Sequence, residues 1–123
     1  MNGIEYDVSE TGLKAVLKEW QIKAMEVVWG SPDGANSRTV WMETNKALKS
    51  ESISRASVIN FLNDMKELGV LTGDDCTCKG GHHWIYKAAM DEAGFKQFIA
   101  TTLLDSLMRD FPEETKKALE APV

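Results

Sequence analysis

The sequence predicts a mostly α-helical (α+β) domain with a small β-hairpin, and three observations carry that expectation. Val58, Phe61, Leu62, Met65 and Leu68 recur at helical spacing and mark one apolar stripe. Directly after it, Val70-Leu71-Thr72 and His83-Trp84-Ile85-Tyr86-Lys87 form two short runs rich in β-branched and aromatic residues, joined by a polar loop containing Gly80-Gly81. Before it, a second amphipathic stretch ends in the short polar link Lys49-Ser50-Glu51-Ser52. Two short helices joined by such a link, the second followed by a hairpin, predict a helix-turn-helix with a wing.

Taken in order, Ile4, Tyr6 and Val8 alternate with polar residues and point to a short extended arm or edge strand. From Leu13 to Trp29 the pattern is helical. Leu17, Trp20, Ala24, Val27 and Val28 share one face and Ile22, Met25 and Trp29 the other, so this helix is expected to be covered on two sides. Gly30-Ser31-Pro32-Asp33-Gly34 breaks it with a dense set of turn formers. Ser37 is the expected cap of a helix over Arg38 to Leu48, with Val40, Trp41, Thr44, Ala47 and Leu48 on its inner side. Ser54 is expected to cap the next helix, and Gly69 to close it in the left-handed conformation that a residue without Cβ adopts cheaply.

Asp91-Glu92 opens a long helical stretch to Phe111, where acidic residues suit the helix dipole. Phe95, Phe98 and Ile99 occupy one side in its first half, whereas Leu104, Leu107, Met108 and Phe111 lie nearly opposite in its second half. The economical reading is that the first half packs on its own domain and the second on another copy of the chain. Pro112 starts a last short helix through Leu119. The expected division is therefore residues 1–90, a winged helix-turn-helix unit, and residues 91–123, a helical dimerisation segment.

A chain of 123 residues suits one domain. Nothing in it approaches the ~20 apolar residues that cross a bilayer, and no signal segment is visible, so a cytoplasmic protein without a membrane partner is expected. Cys76 and Cys78 lie too close together to staple a fold, which suits a reducing compartment. The net charge of −5 is unusual for a protein that neutralises phosphates. Its distribution is uneven: residues 31–90 carry seven basic and seven acidic groups, against three and five before them and four and seven after. The acidity thus lies in the flanks. No phosphate-binding glycine loop, metalloprotease helix motif or oriented histidine is present, so an enzyme is not expected.

The segments LKEWQIKAMEVVW and SRASVINFLNDMKELGVL, with the Gly-Gly wing ending in Trp84-Ile85-Tyr86, together resemble winged-helix transcriptional repressors of the penicillinase-repressor (BlaI/MecI) type, and more distantly MarR-like regulators. The resemblance implies a sequence-specific DNA-binding regulator, a repressor, acting as a homodimer on double-stranded DNA through its C-terminal helices. It also implies that the helix starting near Ser54 enters the major groove and that the 72–84 wing touches the backbone. Carried over by position, Ser54, Arg55, Ala56, Ser57, Ile59, Asn60 and Asn63 face or cap the groove; Arg38, Lys79 and His82, from outside that helix, are further expected DNA contacts. Family members often carry basic residues on this helix face, where Ala56 and Ile59 are apolar here and Asp64 is acidic.

Other readings stand beside this one. Trp20, Trp41 and Trp84 read more simply as core or rim residues than as a stacking platform. Cys76 and Cys78 followed by His82 and His83 offer four soft or borderline ligands that suit zinc or copper, although the spacing matches no zinc-finger pattern, and no cofactor is the expectation. A metal- or thiol-responsive regulator would use that cluster. A protein-binding winged-helix module would use the apolar groove face.

Overall fold

The computed structural model describes residues 4–78 and 81–120, the side chains of residues 76–78 and 81–83 excepted. It is mostly helical with a small three-stranded antiparallel sheet. A 3-10 turn (Gly12–Ala15) precedes α1 (Glu19–Trp29), β1 (Ala35–Asn36), α2 (Ser37–Ala47) and α3 (Arg55–Glu67). Then follow β2 (Leu71–Cys78), β3 (Gly81–Ala88), α4 (Glu92–Asp110) and α5 (Pro112–Glu120). Among the described residues, no helix is long and apolar enough to cross a membrane.

The core is continuous from Leu17 through α1, α2 and α3 to Val70, Leu71 and Tyr86, and on to Phe95 and Ile99 of α4. The α3 stripe lies at its centre, with Val58, Phe61, Leu62 and Met65 all buried and Trp20 edge-on to Phe61 at 5.4 Å. Both faces of α1 are covered, as its pattern predicts: Ala24, Met25 and Val28 are buried and Trp20, Ile22, Val27 and Trp29 pack around them. The Trp29 indole N–H donates to the Met90 carbonyl at 3.1 Å, which ties α1 to the start of the C-terminal helices.

Several expectations are corrected. The stretch from Leu13 is not one helix. Lys18 is extended, and its backbone N–H donates to Gln21 Oε1 at 2.9 Å, so α1 starts afresh at Glu19. The reason is burial: Ala15 and Leu17 both face the core, and two residues spaced i,i+2 on a continuous helix would point about 200° apart. The N-terminal arm is not a strand. It is coil anchored by the Asp7 N–H on the Ala15 carbonyl at 2.7 Å, with Ile4 against the core and Tyr6 and Val8 exposed. Asn36, not Ser37, caps α2, its Oδ1 accepting from the Thr39 N–H at 2.8 Å. Ala47, expected inside, is exposed.

The hairpin is longer than expected. The polar residues from Gly73 to Cys78 are strand, paired from Leu71↔Ala88 to Cys78↔Gly81. Asp and Gly are depleted in strands by propensity, and here the continuous ladder of backbone hydrogen bonds overrides it. β1 was not anticipated at all. It pairs with β3 at Ala35↔Tyr86 and Asn36↔Ile85, giving the order β1-β3-β2. Gly34 makes that approach possible: its φ is +94°, and a Cβ there would lie 2.4 Å from Ile85 Cγ2.

At the C-terminal end the two helices start where the sequence places them. Asp91 accepts from the Gly94 N–H at 2.8 Å, and Pro112 opens α5. The Thr115 hydroxyl donates to the Leu107 carbonyl at 3.1 Å and folds α5 back on α4. Phe95 and Ile99 are buried and Phe98 packs beside them, as the first-half stripe predicts.

Candidate functional site

The outer face of α3 lies opposite its buried stripe. Ser54 caps it, its Oγ accepting from the Ser57 N–H at 3.1 Å and lying 2.9 Å from the Ser57 hydroxyl. Arg55, Ala56 and Asn60 are exposed and Ile59 is half-buried, on the side away from the core stripe. Arg38, at the start of α2, is also exposed, and Arg55 Nη2 reaches to 3.5 Å from Ser37 Oγ. The Arg55 guanidinium thus lies beside the N-terminus of α2, where helix amides and a cation together suit an anionic group.

α3 is held at its N-terminal end by side chains of α2. Asn45 acts as a stand-in peptide group: its Oδ1 accepts from the Ile53 N–H at 2.8 Å, and its Nδ2 donates to the carbonyls of Ile53 and Trp41 at 3.1 Å each. The Trp41 indole N–H donates to the same Ile53 carbonyl at 2.9 Å. In the turn between α2 and α3 both backbone groups of Ile53 are therefore satisfied from α2, directly before Ser54. Sequence reasoning missed Asn45. The available signal was a poor helix former inside a helix, where a short amide usually has a partner.

The hairpin side of α3 is also engaged. The Tyr86 hydroxyl donates to Asn63 Oδ1 at 2.8 Å, and burial pushes the Tyr86 phenol above its ordinary range. Lys66 Nζ sits 4.1 Å from the centroid of the Trp84 ring. Asn63 is exposed like Arg55, Ala56 and Asn60, but its amide oxygen is turned to the hairpin. Trp41 and Trp20 pack against the core, while Trp84 is largely exposed on its outer side. Asp74 and Asp75 are exposed on β2.

Lys79 lies outside the described residues, as do the side chains of Cys76, Cys78, His82 and His83. The backbone register pairs Cys76 with His83 and Thr77 with His82. Among the described residues, no group of three or more His, Cys, Asp or Glu side chains is arranged to hold a metal ion. A surface cleft lined by Tyr6, Asp7, Lys14, Lys18 and Gln21 among others belongs to the N-terminal arm and lies on residues remote in sequence from α3. Compared with known proteins, no family model matches the chain, and no curated protein shows significant sequence similarity to it.

Proposed function

We propose that this chain is a winged helix-turn-helix regulator that binds double-stranded DNA in a sequence-specific way and acts as a homodimeric repressor. The observation that carries the reading is the division of α3: Val58, Phe61, Leu62 and Met65 buried on one side, and on the other an exposed Arg55, Ala56 and Asn60, with Asn45 bound to Ile53 just before the helix and an antiparallel hairpin following at once. In this reading α3 lies in the major groove, where Arg55 and Asn60 hydrogen-bond base edges and Ala56 and Ile59 meet thymine methyl groups. The hairpin lies along the phosphate backbone. The exposed Leu104, Leu107 and Phe111, with Met108 beside them, form the contact between copies.

Binding to a duplex selected from genomic fragments, measured across a salt series, tests this. Asn60→Ala should weaken the preferred duplex by about 1–3 kcal/mol while leaving thermal stability nearly unchanged. Arg55→Ala and Asn60→Ala variants that both bind like the wild type at low salt would remove α3 as the reading element. A second reading, a protein-binding module, is favoured by one feature, the exposed Asp74 and Asp75 on the strand that would approach the phosphates. Absence of salt-dependent duplex binding by the wild type would put that reading first.

A further inference from the structure

Asn63 and Lys66 are three residues apart on α3 and so share a helix face, while Trp84 and Tyr86 are two apart on β3 and share a strand face. The two pairs meet: Tyr86 on Asn63 at 2.8 Å, and Lys66 over Trp84 at 4.1 Å. Between them lies Gly73, the register partner of Tyr86. A Cβ at Gly73 would stand 2.9 Å from Lys66 Cδ and 3.5 Å from Trp84 Cε3, so the missing side chain makes the channel through which the lysine stem crosses β2.

We infer that Asn63 and Lys66 are positioning residues which fasten the hairpin to α3 at a set angle, so that both engage a duplex as one rigid body. The inference rests on the DNA-binding reading above. An angle set in the free protein removes the ordering that a loose hairpin would undergo on contact. It also changes the role expected of Asn63. By helical position it belongs with the base readers, but its amide oxygen already accepts from a buried phenol.

The test compares Asn63→Ala, Tyr86→Phe and the double variant, each measured for affinity to the selected duplex, for affinity to an unrelated duplex, and for thermal stability. Each single variant should weaken the selected duplex by roughly fivefold, the worth of one hydrogen bond, and the double variant by no more than either. The unrelated duplex should bind as before. Gly73→Ala, which keeps the Lys66 charge but displaces its stem, should show the same loss of selectivity. If Tyr86→Phe binds like the wild type while Asn63→Ala does not, Asn63 reads a base by itself and the inference is overturned. Variants that melt lower but keep the wild-type ratio of selected to unrelated affinity would make the contact merely structural and overturn it too. If the stability cycle couples Asn63 to Tyr86 but the wild type binds no duplex, the DNA reading has failed, and the positioning role falls with it although the contact stands.

Discussion

Two apolar stripes, one on α3 and one on the second half of α4, look alike in sequence and end differently. Phe61 on α3 is 3% exposed, whereas Leu104, Leu107 and Phe111 on α4 are 39%, 46% and 57% exposed. Helical periodicity identifies an apolar face, but the topology of the chain decides what covers it. α3 has α1, α2 and the sheet around it; the end of α4 meets α5, which packs through Thr115 and leaves Leu119 exposed as well. A covered stripe contributes stability to the single chain. An uncovered one is available for association.

The comparison can be broken most forcefully at Phe61. Phe61→Ala should destabilise the fold by about 3–5 kcal/mol in denaturant unfolding, because it removes a buried ring that also meets Trp20. A loss below about 1 kcal/mol would mean that the α3 stripe is no better anchored than the α4 one. Gly34→Ala probes the same end through the backbone. A positive φ and a Cβ driven into Ile85 should together destabilise by about 1–3 kcal/mol and loosen the β1–β3 pairing, seen as faster amide exchange at Ile85 and Tyr86. At the other end, Leu107→Lys should alter the stability of a single copy by no more than about 0.5 kcal/mol. Its effect should appear instead in sedimentation: the wild type should associate with increasing concentration and the variant should not. A wild-type chain that sediments as one copy throughout would leave the α4 stripe without the role proposed for it.

The candidate site was legible in the sequence where local chemistry governs it. Ser54 lies next to helical amides that need an acceptor, and Arg55, Ala56 and Asn60 are exposed because the stripe fixes which way the helix turns. What supports that face was not legible. Asn45, Tyr86 and Lys66 act on partners 8, 23 and 18 positions away, at Ile53, Asn63 and Trp84, and no periodicity registers a hydrogen bond of that kind.

By itself the sequence determined the α3 stripe, its cap at Ser54 and stop at Gly69, the start of α4 at Asp91-Glu92, and the start of α5 at Pro112. In each case the deciding forces act within a few residues: a side-chain oxygen on a free amide, a glycine free to take φ of +83°, a proline where no N–H is needed. Only the tertiary structure decided the break at Lys18, the strand at Ala35–Asn36, the full length of the hairpin and the partner of Asn63. Those depend on which distant segments come together. Burying Ala15 with Leu17, or extending the ladder through Gly73, Asp74 and Asp75, is favourable only once the opposing surface is in place.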